Sequence, residues 1–173
     1  MLVRNAGRKL KLRILFAGVS LAVMGACTSV PMVGVPPPGG SSVPMATGLA
    51  TNPFPTFGAD VNSYRAPALN PLSYNRKLHG AAQTHANDMS SNGFFSHTGS
   101  DGRTVGNRVS DQGYSWAWVG ENIAQGQTSA TQALNGWKAS PGHNAILLSS
   151  IPTEFALAQA PGNYWVMVLA KPN

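Results

Sequence analysis

The chain of 173 residues is short of charged side chains and of cysteine: only 10% of it is Asp, Glu, Lys or Arg, and Cys27 is the single cysteine. A fold built from the rest of the chain therefore contains no disulfide bond. Six acidic residues stand against 12 basic ones, giving a formal net charge of +6. Five basic residues lie within positions 4–13, ahead of every acid, so the remainder carries 7 − 6 = +1. This balance excludes the basic surface that nucleic-acid binding requires.

Long apolar runs are also scarce, and the one near the amino terminus is too short to span a bilayer comfortably. It reads ILFAGVSLAVMGA, follows the basic segment MLVRNAGRKLKLR and ends directly before Cys27. This arrangement is typical of a secretory signal peptide, whereas a bilayer crossing needs about 20 apolar residues. We predict a lipoprotein-type signal peptide over residues 1–26, with Cys27 lipidated after cleavage. The alternative is an ordinary signal peptide that leaves Cys27 as a free thiol.

A segment rich in proline, glycine and serine follows, including the run PPPGGSS at 36–42. Such a composition buries too little apolar surface to offset the entropy of ordering the chain. We therefore predict a disordered stalk over residues 27–55, beginning with the lipidated Cys27, and one folded domain over residues 56–173. The predicted partner is the lipid bilayer, which acylated Cys27 would enter. The domain would then be exported and lipid-anchored, on the periplasmic or cell-surface side of a bacterial membrane.

Four segments of the predicted domain have the apolar spacing of amphipathic helices. The clearest covers 75–93, with Asn75 as its N-cap and Gly93 as its C-terminal stop. Its expected buried stripe consists of Leu78, Ala81, Ala82, His85 and Met89. The other predicted helices cover 57–65, 103–113 and 128–140, the last capped by Thr128 or Ser129.

Strand signals are strongest near the carboxyl end. The segments EFALAQA (154–160) and NYWVMVLA (163–170) are separated by Pro161 and Gly162, and the second is rich in β-branched and aromatic residues. This pattern predicts an antiparallel hairpin. Three or four helices with a small sheet predict an α+β domain built in layers.

The four histidines of the chain differ in their surroundings. His85 lies on the predicted buried stripe, where a hydrogen-bonded core histidine is the simpler interpretation, and His79 lies off it and is expected to be solvated. His97 and His143 lie in the segments SHTGSDG and SPGHN, which we predict to be loops that can approach a site closely. Glu121, in GENIAQG, needs a cation, a hydrogen-bond donor or a metal, because an uncompensated carboxylate there is costly.

Four motifs in order carry a resemblance to a known family: PLSYNRKLHGAAQTHANDM, FFSHTGSDGRTVGNRV, GYSWAWVGENIAQG and GWKASPGHNAILL. They resemble the successive motifs of bacterial CAP-superfamily domains, also called SCP-like domains. That superfamily contains cysteine-rich secretory proteins, antigen 5 and plant pathogenesis-related proteins. The resemblance covers about residues 57–171. It implies an α-β-α sandwich with a small central antiparallel sheet flanked by helices.

The resemblance also implies a cleft lined by His97, Glu121 and His143, which match the two histidines and the GEN glutamate of the family's cavity. Ser140 occupies the place of a second glutamate found in the animal proteins. Asn144 and Ile146 replace an arginine and an asparagine that the family favours, so we expect local change at the rim of the cavity.

Two imidazoles and a carboxylate are ligands suited to Zn²⁺ or another divalent metal, with a coordination position left for water or a ligand. We therefore predict a metal site at His97, His143 and Glu121. The alternative is that these three groups only hydrogen-bond across the junction between loops and stabilise it. The two interpretations stay open at this point.

Three classes of function fit the predicted domain. The first, which we favour, is an exported domain anchored to the cell envelope that binds a small ligand, a lipid or a metal in the cleft. The second is an extracellular hydrolase, because Ser96 and Ser140 lie close in sequence to His97 and His143. The sequence contains neither a GxSxG nor an HExxH motif, so no known catalytic motif supports the hydrolase. The third is a structural protein that contacts an envelope component.

Trp116 and Trp118 alternate along the segment YSWAWV, just before Glu121. This spacing predicts that both rings lie on one side of a strand. They would form either an aromatic wall of the cleft or an ordinary half-buried strand face.

Overall fold

The computed structural model describes residues 51–173, which form five helices and four strands. In chain order these are α1 (Pro55–Arg65), β1 (Ser73–Tyr74), α2 (Arg76–Asn92), α3 (Val105–Asp111), β2 (Trp116–Gln125), α4 (Ala130–Ala139), α5 (Pro141–Leu147), β3 (Glu154–Ala160) and β4 (Tyr164–Pro172). The predicted signal peptide, Cys27 and the stalk up to residue 50 lie outside the described residues. Of the helices within 51–173, none combines the length and apolar character needed to cross a bilayer.

The four strands form one sheet in the order β1-β3-β4-β2, so β4 has a neighbour on each side and β2 lies at an edge. β4 runs antiparallel to both β3 and β2, which confirms the predicted hairpin. β1 pairs with β3 in parallel through only two residues, Ser73 and Tyr74. The sheet is therefore antiparallel except at this short strand, which is too brief to show a strand pattern in the sequence.

Helices cover both faces of the sheet, and each face has its own apolar core. On β4, Val166 and Val168 belong to the core shared with α2 and α3. The alternate residues Trp165, Met167 and Leu169 belong to the core shared with α1, α4 and α5. This alternation confirms the predicted α-β-α sandwich. It also explains why β4 is apolar at nearly every position, since both of its faces are buried.

Helix α2 forms where its capping residues predict. The Asn75 side-chain oxygen accepts a hydrogen bond from the Lys77 amide at 2.8 Å, and Gly93 ends the helix in the left-handed conformation, with φ of 66°. The whole predicted stripe of α2 is buried. In α4 the cap is Ser129 rather than Thr128, because Ser129 Oγ accepts from the Gln132 amide at 3.2 Å.

The prediction that SPGHN is a loop is wrong, because its last four residues begin helix α5. Proline is tolerated in the first turn of a helix, where its missing N–H would have no intrahelical acceptor. Packing then holds this short helix in place. Leu147 is buried, and the Tyr64 hydroxyl donates to Asn144 Oδ1 at 2.9 Å. His143 consequently lies in a helix with a fixed orientation.

The prediction that Trp116 and Trp118 share one side of β2 is also wrong. They pair with Pro172 and Lys171, which are adjacent in β4, so β2 contains one extra residue at this point. Such a β-bulge reverses the alternation of side chains. Trp116 therefore packs on the α2–α3 side of the sheet, and Trp118 packs on the opposite side.

Candidate functional site

His97 lies in the turn-rich loop between α2 and α3, and its position is set by polar contacts within that loop. Asp88, on α2, accepts hydrogen bonds from both the amide and the hydroxyl of Ser100, at 2.8 and 2.6 Å. The Gly99 amide donates to the Arg103 carbonyl at 2.9 Å and closes a turn. The loop thus presents His97 with 57% of its side chain exposed.

Glu121, on β2, points into the layer formed by α2 and α3, and its side chain is only 2% exposed. Its Oε1 accepts a hydrogen bond from His97 Nδ1 at 2.9 Å. Its Oε2 accepts from Arg108 Nη2 at 2.7 Å. Both oxygens of this buried carboxylate therefore have partners, and one partner is a full positive charge.

Arg108, on α3, is the functional residue that sequence reasoning missed. Besides Glu121, it holds the loop: Nη1 donates to the Arg103 carbonyl at 2.8 Å, and Nη2 donates to the His97 carbonyl at 3.2 Å. One signal could have found it. Arg108 shares the apolar face of α3 with Val105 and Val109 at helical spacing, and a buried arginine needs an anionic partner.

The two histidines outside the predicted cleft also have structural partners. His85 is fully buried, and its Nε2 donates to the Ser96 carbonyl at 2.8 Å and lies 3.9 Å from Glu121 Oε1. Burial lowers the pKa of His85, although the charge of Glu121 acts in the opposite direction. Its Nδ1 has no partner within residues 51–173, so the prediction of a satisfied core histidine holds for one nitrogen only. His79 is half-buried, and its Nδ1 lies 3.0 Å from the Leu157 carbonyl, so it is not simply solvated.

His143 lies in the first turn of α5, next to the junction with α4. Its Nδ1 lies 2.9 Å from the Ser140 hydroxyl, and its carbonyl accepts from the Asn122 side chain at 3.1 Å. Partial burial lowers the pKa of His143, and repulsion from the nearby His97 lowers it further. His143 therefore lies near His97 but makes no hydrogen bond with Glu121.

A recess of about 370 Å³, called the cleft below, opens beside His143. Its floor is the end of edge strand β2, from Ile123 to Gln125, and Phe95 forms one wall at 48% exposure. The rest of the lining consists of Gln127, one stripe of α4 and the residues where α4 meets α5. The stripe and this junction contribute Ala133, Gly136, Trp137, Ser140 and His143. Neither Trp116 nor Trp118 lines the cleft; both are half-buried residues of β2, so the alternative of an aromatic wall is not observed.

The three predicted metal ligands, His97, His143 and Glu121, differ in the atoms they have available for a metal ion. Within residues 51–173, no three His, Cys, Asp or Glu side chains converge where a metal ion could be held. Both Glu121 oxygens accept hydrogen bonds, one from His97 and one from Arg108. Such a carboxylate orients a histidine through the ring nitrogen that does not bind the metal. The Nε2 atoms of His97 and His143 make no hydrogen bond among the described residues and are the nitrogens left for a ligand.

The two serines near the histidines differ in their contacts. Ser140 Oγ reaches His143, as described above. The Ser96 hydroxyl instead accepts from the Thr98 amide at 3.1 Å and contacts no imidazole. Only Ser140 therefore belongs to a serine–histidine pair.

The layers and the cleft together define an α-β-α sandwich domain with a recess at the edge of its sheet, which His143 lines and His97 does not. The chain belongs to the cysteine-rich secretory protein (CAP) family, whose model matches residues 59–169. This match confirms the family resemblance seen in the four sequence motifs.

Three proteins are similar to this chain in sequence or structure. The uncharacterized membrane protein YlbC of Bacillus subtilis (strain 168) is 30% identical over 79 residues, which cover 46% of this chain and 23% of YlbC. An extracellular protein containing a SCP domain from Bacillus anthracis str. Ames is 26% identical, with a TM-score of 0.65 over 67% of this chain and 39% of its own. An outer surface protein of Borrelia burgdorferi, at 20% identity, shares the fold. Its TM-score is 0.63, and the match covers 68% of this chain and 91% of that protein. The chain spans less than half of the first two proteins.

Proposed function

We propose that this protein is an exported, envelope-anchored CAP domain that binds a small ligand in the cleft. The supporting observation is the cleft itself: about 370 Å³ beside His143, with apolar surface from Phe95, Ala133 and Trp137 and polar groups from Gln125, Gln127 and Ser140. Binding sites for small molecules typically measure about 300–1,000 Å³ and combine mostly apolar linings with a few placed polar groups. Two structural relatives, an extracellular protein and an outer surface protein, support export of this chain as well.

A divalent metal would be held by the Nε2 atoms of His97 and His143. Glu121 would orient His97 through the opposite ring nitrogen, an arrangement that favours metal binding by a histidine. The bound ion would supply an electrophilic centre for an oxygen or nitrogen atom of the ligand. Arg108 neutralises Glu121, so the carboxylate contributes orientation rather than a third coordinating group.

Filling the cleft from Gly136 tests ligand binding. A Cβ placed at Gly136 meets no atom within 4 Å, so Gly136→Leu adds apolar volume to the cleft without a clash at its first carbon. Ala139→Leu, on an exposed part of the same helix, is the matched control. Native mass spectrometry of each protein purified from its own envelope should detect a bound small molecule in the wild type and in Ala139→Leu, and none in Gly136→Leu. The absence of any bound molecule in the wild type, or retention by Gly136→Leu, would contradict the proposal.

Calorimetric titration with Zn²⁺ tests the metal separately. We expect His97→Ala and His143→Ala each to weaken Zn²⁺ binding at least tenfold, because each removes one of two nitrogen ligands. Glu121→Gln should weaken it less, because the amide still accepts a hydrogen bond from His97. Unchanged affinity in His97→Ala would rule out this cleft as the metal site.

Hydrolysis is the second candidate, and the contact between Ser140 and His143 is the one observation in its favour. Within the described part of the chain no carboxylate contacts His143, and Glu121 contacts His97 instead. A fluorophosphonate probe should therefore leave the wild type unlabelled. Labelling that disappears in Ser140→Ala would establish a nucleophilic serine and favour the hydrolase.

A further inference from the structure

The floor of the cleft is an edge strand, and its outer side has no neighbouring strand within residues 51–173. In an antiparallel pair, residues whose N–H and C=O groups face the partner alternate with residues whose groups face away. The Gly126 amide donates to the Asn163 carbonyl at 3.0 Å, so this residue faces β4, as does Ala124 two positions earlier. The peptide groups of Ile123 and Gln125 therefore face away from β4, on the side of the free edge.

The indole of Trp137 supports this assignment independently. Its Nε1 donates to the Ile123 carbonyl at 3.0 Å, which requires that carbonyl to point toward α4 rather than toward β4. The Ile123 amide, the Gln125 amide and the Gln125 carbonyl have no hydrogen-bond partner within residues 51–173. The cleft thus contains a short row of main-chain donors and acceptors with the spacing of a strand.

The side chains around this row limit what could pair with it. None of the ten residues that line the cleft is Asp, Glu, Lys or Arg, and His143 is the one titratable side chain among them. The walls are apolar at Phe95, Ala133 and Trp137, and space is left at Gly136. A hydrocarbon chain would fill the volume but would leave the Gln125 amide and carbonyl without partners, which carries a desolvation cost.

We propose that the cleft takes a short, extended, uncharged peptide segment, which pairs with the outer edge of β2 as an additional strand. An exposed sheet edge binds extended peptides through main-chain hydrogen bonds, and neighbouring pockets then select the side chains. Ile123 and Gln125 lie about 7 Å apart, at ~3.4 Å per residue, so the pairing involves three to four peptide residues. One apolar side chain of the segment lies between Phe95 and Gly136. This inference rests on the proposed ligand-binding role of the cleft and names the class of its ligand.

Amide hydrogen exchange of the ¹⁵N-labelled full chain tests the pairing directly. The probes are a pool of tetrapeptides, acetylated and amidated at their ends, built from Gly, Ala, Ser, Val and Leu. The tightest binder is then compared with its N-methylated analogue, which keeps the side chains but lacks main-chain donors. We expect the unmethylated peptide to slow exchange of the Ile123 and Gln125 amides at least tenfold, and the analogue to bind at least tenfold more weakly. Gly136→Leu should abolish both effects, and Ala139→Leu should retain them.

Two results would overturn the inference while leaving the proposed function intact. In the first, no peptide of the pool binds, yet the wild type retains a small molecule that Gly136→Leu loses. In the second, the peptide and its N-methylated analogue bind equally, or exchange at Gln125 stays unchanged, so that the cleft binds without strand pairing. If neither a peptide nor a co-purified molecule binds, both the inference and the proposed function are wrong.

Discussion

Arg108 is the residue on which the geometry of the site depends most. Its guanidinium contacts the Glu121 carboxylate and the main chain of the loop that carries His97. Because Glu121 is buried, removing its cationic partner would leave an uncompensated charge inside the domain. The same guanidinium therefore affects both the stability of the domain and the position of His97.

Arg108→Ala should destabilise the domain by about 3–5 kcal/mol, the typical cost of removing one partner of a buried ion pair. Arg108→Lys should cost less, because it keeps the charge while losing the fork of donors. Arg103→Ala is the control: this arginine pairs with Asp111 at the surface, and such pairs contribute about 0–1 kcal/mol. Urea denaturation measures all three. A loss below about 1 kcal/mol in Arg108→Ala would contradict the assigned role.

His85 should make the stability of the domain depend on pH. Burial lowers the pKa of His85 below its usual 6.5, so around and below pH 6 the unfolded chain binds a proton that the folded chain does not. The contribution of His85 is therefore fully present above the unfolded-state pKa and is lost as pH falls toward the folded-state value, with a slope of at most about 1.4 kcal/mol per pH unit.

Urea denaturation at pH 5, 6 and 7 measures this slope. His85→Gln should reduce it, because glutamine can still donate to the Ser96 carbonyl but does not titrate. His79→Gln should retain it, because His85 is still present. An equal slope in the wild type and in His85→Gln would mean that other groups cause the pH dependence, His143 among them, since its pKa is also lowered.

At the scale of single residues, the sequence predicted the histidines and the glutamate but not the arginine. Composition and family resemblance pointed to His97, Glu121 and His143, which are rare residue types within recognisable motifs. Arg108 lies in a short helix where a charged residue is usually solvated. Its spacing with Val105 and Val109 indicates a buried position, but its partner Glu121 lies 13 positions away in a different element, and no local pattern identifies that partner.

Two glycines show how the same substitution acts differently in different elements. Gly93 ends α2 in the left-handed conformation, and a Cβ placed there meets no atom within 4 Å, so Gly93→Ala carries only the conformational cost of about 1–2 kcal/mol. Gly136 lies inside α4, where alanine is favoured over glycine by about 0.8–1.0 kcal/mol.

We therefore expect Gly93→Ala to lower the free energy of unfolding and Gly136→Ala to raise it, both measured in urea. A stabilised Gly93→Ala would contradict the left-handed C-cap. A destabilised Gly136→Ala would contradict the open space at that position, and it would weaken the use of Gly136→Leu to fill the cleft.

Among the elements, those with strong local signals were predicted and those held by packing were not. Helix α2 has an Asn75 cap, an apolar stripe and a terminal glycine, so its limits follow from the chain itself. Helix α5 begins with proline and glycine, which favour loops, and it depends on contacts such as Tyr64 with Asn144. The bulge between Trp116 and Trp118 arises from register with β4, and the alternating sequence of β2 gives no sign of it.

At the scale of the whole molecule, the membrane anchor is still a prediction from the sequence. Cys27→Ala should move the protein from the membrane fraction to the soluble fraction and abolish metabolic labelling with radioactive palmitate, because Cys27 is the single thiol available. The folded domain should be unaffected, as judged by its urea midpoint. Labelling that persists in Cys27→Ala, or a wild type found only in the soluble fraction, would contradict the lipoprotein prediction.

The position of β4 has a consequence for the order in which the domain can be assembled. β4 joins β3 to β2, yet among the described elements it lies last in sequence. Without it, β2 and β3 have no hydrogen-bonded contact with each other, and the two apolar cores each lose one side. In a chain that leaves a translocation channel amino end first, the sheet could therefore close only after residues 164–172 had emerged.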